Sequence, residues 1–307
     1  MSGNKIAVVA PVYNREAEVV RLLDSVARQT RPADDIVIVD DGSEDGTAAA
    51  VAQWLAAHPE APARLLRQAN HGAAHARNAG LRAAAASDFV LFADSDDVLP
   101  PDFLARTAPA LAADARAALV STDQRFESPG EAARLRALEG ITRDPETWLF
   151  LCGAGVASCT LLRTRAVLAV GGFDERLYTG HDVPFFAQLA RAGEWRHAPG
   201  APVVMHRDEN RRFNLYSFCR DAWRRWAFIF EQLWEDGGGT RTRLSDKRWR
   251  NIGGRWQTAG EEQLAQHCHR AALECFARAL WWTPYRWRAA RGAGQAVWRG
   301  LRAAVRP

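Results

Sequence analysis

The sequence predicts an α/β protein with a doubly wound, mixed but mostly parallel sheet flanked by helices and followed by a C-terminal helical appendage. Two observations support this prediction. Short apolar runs alternate with stretches of helical periodicity over the first hundred residues, as in a sheet with crossover helices. Two of these runs end in aspartates, at Asp40-Asp41 and at Asp94-Ser-Asp96-Asp97. Open α/β sheets bind ligands at the carboxyl ends of their strands.

Each element of the first hundred residues follows from its local pattern. Buried apolar runs predict strands at residues 5–10, 35–39, 63–67 and 88–93. Apolar residues at helical spacing predict three helices. The first spans residues 16–29, the second runs from just after the second strand to residue 55, and the third spans 72–86. Ser43 or Asp45 is expected to cap the second of these helices. Pro100-Pro101 then begins a further helix.

The rest of the chain is predicted in the same way. Strands are expected at residues 117–122, 156–162 and 201–206, with a polar insert at 127–145. A short helix should end at Gly171-Gly172, and another should span 181–192. Residues 215–234 form an amphipathic helix that Gly237-Gly-Gly239 interrupts, and two or three helices follow. These patterns predict a main domain over residues 1–210 and a helical Arg/Trp-rich region over 211–307.

Composition narrows the classes of protein. Residues 1–206 carry 20 basic and 26 acidic side chains, whereas residues 207–307 carry 20 basic and 10 acidic ones, so a basic region follows an acidic domain. The five cysteines form no CxxC pair, which favours reduced thiols over a disulfide frame or a zinc site. The amino-terminal residues lead directly into a strand without room for a signal peptide, and no apolar run is long enough to span a membrane.

The aspartates after residue 93 are the sharpest local signal. Asp94 and Asp96, at i and i+2 past a buried strand, can converge on one divalent cation. Hard Mg²⁺ or Mn²⁺ favours a few carboxylates together with diphosphate oxygens. The alternative is a solvated turn with a helix cap, and the same alternative applies to Asp40-Asp41-Gly-Ser43. Because the two aspartate patterns occur at successive strand ends, we interpret this edge of the sheet as a nucleotide site with a metal beside it.

The ordered set of motifs resembles the family 2 glycosyltransferases of GT-A fold over roughly residues 4–206. The motifs are Ala10-Pro-Val-Tyr-Asn14, Val39-Asp-Asp-Gly-Ser43, Asn70-x-Gly72-x-x-x-Ala76-Arg-Asn78-x-Gly80, Asp94-Ser-Asp96-Asp97, Gly171-Gly-Phe-Asp174 and Gly180-His-Asp182. The resemblance implies a GT-A catalytic domain with a nucleotide-binding half at residues 1–97 and an acceptor half at 98–210. It is specific for fold and superfamily, and it does not define the sugar or the acceptor.

The resemblance also implies roles for single residues. Pro11 and Tyr13 would line the base pocket, and Asp40 would hydrogen-bond the base. Arg77 would lie near the base or the diphosphate, and Asp94 would meet the ribose or the sugar. Tyr13 has the alternative of a core or edge tyrosine, and Arg77 that of a surface ion pair.

Asp96 would bind the metal, Mn²⁺ or Mg²⁺, which neutralises the charge growing on the leaving nucleoside diphosphate. His206 ends a strand at the same sheet edge and is a further candidate ligand, with a half-buried structural histidine as the alternative. His71 and His75 are expected at the surface or beside phosphate rather than on the metal.

Asp182 is the candidate general base, because inverting members of the family use the aspartate of a Glu-Asp pair at a helix start. Here the pair is His181-Asp182, so the usual glutamate is replaced. His181 is expected to lower the pKa of Asp182 or to help orient the acceptor. The alternative for Asp182 is a helix N-cap, which is compatible with catalysis.

The basic region permits three interpretations. Seven arginines and no acidic residue follow Glu274, with four tryptophans and Tyr285 interleaved. Such a composition suits an anionic membrane surface. A helical cap on the catalytic domain explains it equally well, and nucleic acid fits it least and is not expected as a partner.

The resemblance implies an inverting, metal-assisted glycosyltransferase. It would move a sugar from a nucleotide-diphosphate sugar to a cell-surface glycan or its lipid-linked precursor. The expected location is the cytoplasm, with peripheral binding to the inner face of the cell membrane through residues 275–307. The alternative is a GT-A nucleotidyltransferase or a non-catalytic sugar-nucleotide-binding protein, although the segment after the first strand lacks the glycines of a nucleotidyltransferase. The absence of GxGxxG there excludes a Rossmann dehydrogenase.

Overall fold

The computed structural model describes residues 3–145, 148–149, 156–177, 179–206, 222–236, 247–282 and 286–304. These residues form two compact units, one holding the described residues up to 206 and the other those from 222 onward. No helix within these ranges is long and apolar enough to cross a membrane.

A seven-stranded sheet forms the centre of the first unit. Its strands are β1 (Ile6–Val12), β2 (Asp35–Asp40), β3 (Ala63–Arg67), β4 (Phe89–Phe92), β6 (Ala117–Ser121), β9 (Thr160–Arg163) and β10 (Glu194–His197). They are ordered β10-β6-β9-β4-β1-β2-β3, and only β9 runs antiparallel to its neighbours. Every residue of β1, an interior strand, is buried, as expected for a strand covered by helices on both faces. The predicted mixed, mostly parallel sheet is therefore confirmed.

Six α-helices of this unit have both ends within the described residues. They are α1 (Glu16–Ala27), α2 (Thr47–Ala57), α3 (Ala73–Ala83), α4 (Phe103–Ala113), α5 (Thr164–Ala169) and α6 (Asp182–Ala192). Gly80 lets α3 lie against β1, because a Cβ at this position would overlap the side chain of Val9. Of the two residues expected to cap α2, Ser43 or Asp45, it is Asp45 whose carboxylate accepts the Thr47 N–H, at 2.9 Å.

A second, four-stranded sheet lies beside the first. Its strands are β5 (Asp97–Val98), β7 (Gln124–Glu127), β8 (Arg134–Arg136) and β11 (Val203–His206), in the order β5-β11-β7-β8. The predicted final strand is therefore present as β11, but it belongs to this small sheet. The segment predicted as a polar insert contains β8 and a 3₁₀ helix, Glu139–Thr142. Strands of two to four residues carry too little alternation of apolar and polar residues to be recognised in a sequence.

The strand predicted at residues 156–162 begins later and has a different start. Ala157–Cys159 form a 3₁₀ turn, and β9 follows it. The Thr160 hydroxyl donates to the Val156 carbonyl oxygen at 2.6 Å, which stabilises the turn. A buried 3₁₀ turn and a buried strand are equally apolar, so the sequence pattern does not distinguish one from the other.

The second unit is helical. Its helices are α7 (Ala222–Asp236), α8 (Lys247–Ala265), α9 (His269–Trp282) and α10 (Arg286–Ala304). Residues 215–221 of the predicted amphipathic helix and the glycines at 237–239 lie outside the described residues. Leu264, Ala272, Phe276 and Ala296 form a buried cluster among these helices. Gly260 and Gly292 both face Phe276, so α8 and α10 lie close to α9.

A buried carboxylate joins three helices of this second unit. Glu231 on α7 accepts the indole N–H of Trp256 at 3.0 Å and that of Trp282 at 2.7 Å. Arg278 donates to the same carboxylate at 2.6 Å. Because the buried charge is paired and hydrogen-bonded, its desolvation is compensated.

Candidate active site

The carboxyl ends of β1, β2 and β4 bring the predicted site residues to one edge of the main sheet. Pro11 in β1 is buried and lies opposite Val39, and Val12 lies opposite Asp40. Tyr13 follows directly and is half-buried. Open α/β sheets bind ligands at this edge.

Asp40, the last residue of β2, has no exposed surface. Its Oδ1 accepts the backbone N–H of Ser43 at 2.9 Å, and its Oδ2 accepts from Nε of Arg67 at 3.1 Å. The carboxylate is therefore fixed on one side by the turn and covered on the other by a long side chain.

Asp41 hydrogen-bonds a different part of the chain from Asp40. Its Oδ1 accepts from Gln68 at 2.7 Å and from the backbone N–H of His71 at 3.0 Å. Its Oδ2 accepts the backbone N–H of Gly72 at 2.8 Å. Asp41 thus fixes the loop that leads into α3, and the two adjacent aspartates have separate roles.

The loops after β1 and β2 are tied together by three hydrogen bonds. The Asn14 N–H donates to the Ser43 hydroxyl at 3.0 Å, and the Asn14 side chain accepts the Glu44 N–H at 2.8 Å. The Arg15 N–H donates to the Thr47 hydroxyl at 2.8 Å. Asn14 has a φ of 51°, in the left-handed region that asparagine tolerates better than most residues. These bonds hold Tyr13 beside the end of β2.

Arg77 is a buried link between two parts of the site. One guanidinium nitrogen donates to Oδ1 of Asp94 at 2.5 Å, and the other lies 2.5 Å from Nε2 of His181. The guanidinium also lies 5.4 Å from the centre of the Phe173 ring. Arg77 was expected near the base or the diphosphate, and it lies against the carboxylate expected to meet the ribose or the sugar.

His181 is buried, and its pKa is lowered to about 3 by desolvation and by the neighbouring Arg77 charge. The ring is therefore neutral near pH 7 and accepts a hydrogen bond from Arg77 through Nε2. A neutral ring stabilises no nearby carboxylate by charge, so an effect on the pKa of Asp182 would have to come from a hydrogen bond. That His181 lowers this pKa or orients the acceptor stays a prediction.

Asp182 is the first residue of α6 and is half-buried. Its Oδ1 accepts the backbone N–H of Val183 at 3.1 Å, which is a contact at the amino end of its own helix. The N-cap position of α6 is His181, without a side-chain cap hydrogen bond, so the alternative of Asp182 as the helix N-cap is wrong.

Asn78 fixes the glycine-rich loop that precedes His181. Its side-chain amide donates to the Phe173 carbonyl oxygen at 2.8 Å and to Glu175 at 2.9 Å, and it accepts the Phe173 N–H at 2.9 Å. Gly172 has a φ of +73°, and a Cβ there would overlap the Asn78 amide oxygen. Sequence analysis assigned no role to Asn78, although its place directly after Arg77 in the motif was a signal.

Three aspartates, Asp94, Asp96 and Asp97, follow β4 in the chain. The pKa of Asp96 is raised by burial and by the charge of Asp94, and Arg15, 3.8 Å away, opposes this shift. The pKa of Asp97 lies well above its usual range because of burial and because of Asp94 and Asp96. Among the described residues, Oδ2 of Asp97 is buried and has no hydrogen-bond partner.

This excess of negative charge fits a hard divalent cation. No three His, Cys, Asp or Glu side chains converge as a ready-made metal cluster in the described ranges. A cation here would rely on one or two carboxylates and on the oxygens of a ligand.

His206 ends β11, and its Nδ1 lies 3.9 Å from Glu127. In the small sheet, β11 runs antiparallel to β5 and Met205 lies opposite Asp97. The next residue, His206, therefore lies on the side of Asp96. The position is compatible with the predicted ligand role, which stays a prediction. His71 is exposed and His75 lies 3.9 Å from Glu175, as expected for residues near the surface.

Comparison with known proteins adds to this geometry. Residues 7–170 match the family described as Glycosyl transferase family 2. The uncharacterized glycosyltransferase YibD of Escherichia coli is 34% identical over 195 residues, which cover 61% of this chain and 54% of that protein. The chain thus spans about half the length of this relative.

Two solved structures have the same fold. The mannosyltransferase PcManGT from Pyrobaculum calidifontis, in complex with GDP-Man and Mn²⁺, is 21% identical with a TM-score of 0.64 and covers 99% of this chain and 88% of its own. Residues 1–349 of Staphylococcus aureus TarS, in complex with UDP-GlcNAc, are 19% identical with a TM-score of 0.61, and the match covers 98% of this chain and 92% of that one.

Proposed function

The chain belongs to glycosyl transferase family 2, and we propose that it is an inverting glycosyltransferase that uses a nucleotide-diphosphate sugar. The proposed acceptor is a hydroxyl of a cell-surface glycan or of its lipid-linked precursor. The observation that carries this proposal is the Arg77 link. It brings Asp94, at the donor edge of the sheet, next to the residue that precedes Asp182. A donor carboxylate and a candidate base are thereby held in one site.

The proposed reaction is a single displacement. The acceptor oxygen bonds to the anomeric carbon while the bond from that carbon to the diphosphate oxygen breaks, and the diphosphate leaves with the electron pair. The proton of the acceptor hydroxyl passes to a carboxylate oxygen of Asp182. A positioned base of this kind contributes about 10²–10⁴-fold to the rate.

Asp96 would hold a divalent cation, Mn²⁺ or Mg²⁺, with His206 as a second candidate ligand. When bound, the cation would neutralise charge on the leaving diphosphate. Burial, together with the charges of neighbouring aspartates, raises the pKa values of Asp96 and Asp97, and this accumulation of carboxylates supports the role. The Mn²⁺ in the structure of PcManGT is consistent with it.

The base is tested with Asp182→Asn. Release of nucleoside diphosphate from UDP- and GDP-sugars, with a panel of glycan acceptors, should fall by roughly 10²–10⁴-fold while nucleotide affinity stays unchanged. Asp114→Asn is the matched control, because Asp114 pairs with Arg196 at the opposite edge of the sheet. Wild-type turnover in Asp182→Asn, or retained configuration at the anomeric carbon, would refute the assignment.

The donor and the metal are tested by calorimetry with UDP, GDP and dTDP. Binding should be tighter with Mn²⁺ or Mg²⁺ than with excess EDTA, and Asp96→Ala should remove this difference while the protein stays folded. Equal affinity with and without the metal for all three nucleotides would contradict the metal assignment.

The helical unit provides a candidate membrane surface. Trp281 on α9 is 61% exposed and Trp298 on α10 is 54% exposed, and no acidic residue follows Glu274. Indole rings at headgroup depth and arginines beside lipid phosphates would give reversible binding to an anionic surface, about 1 kcal/mol for each arginine near it. Such binding would place the enzyme beside a lipid-linked acceptor.

Liposome co-sedimentation tests this surface. Binding should increase with the fraction of anionic lipid, decrease at high salt and weaken in Trp281→Ser/Trp298→Ser. Deletion of residues 275–307 is unsuitable, because it removes Phe276 from the helical core. Phe228→Ser is the matched control, since this side chain is also exposed but lies on α7. Equal binding of the double variant and the wild type would contradict the proposal.

A further inference from the structure

We propose that Arg67 acts with Asp40 to read the base of the donor, and that the pair selects bases with a ring N–H beside a carbonyl. This inference rests on the proposed function, because it names the class of nucleotide that the same site accepts. The role expected from the sequence was limited to Asp40.

The two residues end neighbouring strands. Arg67 is the last residue of β3 and Asp40 the last residue of β2, and they lie opposite each other in the parallel register. Nε of Arg67 donates to Oδ2 of Asp40 at 3.1 Å. The Arg67 side chain is 62% exposed, whereas that of Asp40 has no exposed surface. A carboxylate acceptor and a guanidinium donor therefore stand side by side at the nucleotide edge.

A ligand can bind only to atoms that solvent can reach, and the Asp40 carboxylate has no exposed surface. Asp40 can therefore bind a ligand only if Arg67 releases its hydrogen bond and moves away. The other oxygen of Asp40 is held by the backbone N–H of Ser43 at 2.9 Å, so Oδ2 is the oxygen that can exchange partners. A buried carboxylate without a partner is costly, and Arg67 supplies the partner when no nucleotide is bound. On binding, the base N–H replaces Arg67 at Oδ2, and the guanidinium moves to the adjacent carbonyl of the base.

This exchange discriminates between bases. Uracil and thymine present N3–H next to a carbonyl, and guanine presents N1–H next to O6. Cytosine N3 and adenine N1 are acceptors and carry an amino group beside them. At the same ring position they would set a lone pair against the carboxylate and an amino N–H against the guanidinium. Cytosine can satisfy the pair only by placing its amino group at Asp40, which shifts the ring relative to the diphosphate. Sites whose polar groups are left unpaired reject the wrong ligand strongly.

The test is calorimetry of the full chain with UDP, GDP, dTDP, CDP and ADP in the presence of Mn²⁺. The wild type should bind UDP, GDP and dTDP at least about tenfold more tightly than CDP and ADP. This ratio corresponds to the free energy of one charge-assisted hydrogen bond. Arg67→Met should lose most of this preference and keep only the part that Asp40 alone supplies, while its affinity for CDP and ADP stays unchanged, which also reports an intact fold. Arg67→Gln, which keeps an N–H donor, should retain more of the preference than Arg67→Met.

Arg64→Met is the matched control and should behave like the wild type. Arg64 belongs to the same strand but pairs with Asp35 at the opposite edge, where it lines a separate depression with Lys5 and Asp34. The inference is overturned if Arg67→Met keeps the wild-type preference, or if it binds all five nucleotides more tightly, because Arg67 would then only cover Asp40. Absence of nucleotide binding in the wild type would overturn the proposed function as well, whereas tight binding without discrimination overturns this inference alone.

Discussion

Replacement of Arg77 by methionine should destabilise the first unit by about 2–4 kcal/mol, and the structure provides the components of this estimate. The variant keeps most of the aliphatic volume and loses two hydrogen bonds of 2.5 Å, to Asp94 and to His181. Hydrogen bonds to charged groups contribute about 1.5–3 kcal/mol each. Asp94 is one-third exposed, so water replaces part of its bond, whereas the buried His181 nitrogen is left without a donor. Removal of a desolvated charge offsets part of the loss.

Native-state hydrogen exchange measures this change in the unit that contains it. The amides of the buried strand β1 exchange only through the largest opening reactions, so their free energy of opening reports the stability of the first unit. Arg82→Met is the control, because Arg82 lies on the same helix, is 61% exposed and lies 3.5 Å from Glu175. Such a surface pair contributes about 0–1 kcal/mol. A difference between the two variants of less than about 1 kcal/mol would show that the Arg77 link does not stabilise the site.

Three further measurements test other parts of the structure. Gly80→Ala should lower the free energy of unfolding by about 1–3 kcal/mol in urea titrations, because its methyl group overlaps β1, whereas Gly140→Ala, which faces open space, should have little effect. Because the pKa of His181 is lowered in the folded protein, this residue is protonated only in the unfolded chain between pH 6.5 and about 3. The free energy of unfolding should therefore fall by about 1.4 kcal/mol for each unit that the pH decreases in this range. His181→Gln should lack this contribution, and parallel pH profiles of the two proteins would contradict it. Glu231→Ala should cost the helical unit about 3–5 kcal/mol by tryptophan fluorescence, because it leaves two indoles and an arginine unpaired, whereas the exposed Glu274→Ala should be nearly neutral.

Strand ends were predictable from the sequence because they depend on local pattern. Asp40 and Asp94 follow apolar runs, and the parallel arrangement of those runs is sufficient to bring both to one edge. The family resemblance added a role to each residue, and the match over residues 7–170 confirms the family.

Contacts between distant segments were not predictable in this way. Arg77 and His181 are 104 residues apart, and Asn78 holds a loop 95 residues away. The charge state of His181 depends on those contacts, so it could not be predicted from the neighbouring residues in the sequence. The short strand that contains Asp97 exists only because β11 pairs with it. In each of these cases tertiary packing decides the local structure.

The position of Asp41 affects how this protein would depend on its ionic surroundings. Helix amino ends often cradle phosphate, but at the start of α3 the N–H groups of His71 and Gly72 already bind the Asp41 carboxylate. An incoming diphosphate would meet a negative charge there instead of free donors. Under the proposed function, the attraction would then come mainly from the proposed cation beside Asp96, because Arg77 already pairs with Asp94, so we expect donor occupancy to follow the supply of free divalent ions. The glycosyl transfer proposed here would slow when those ions are sequestered, even at constant donor concentration.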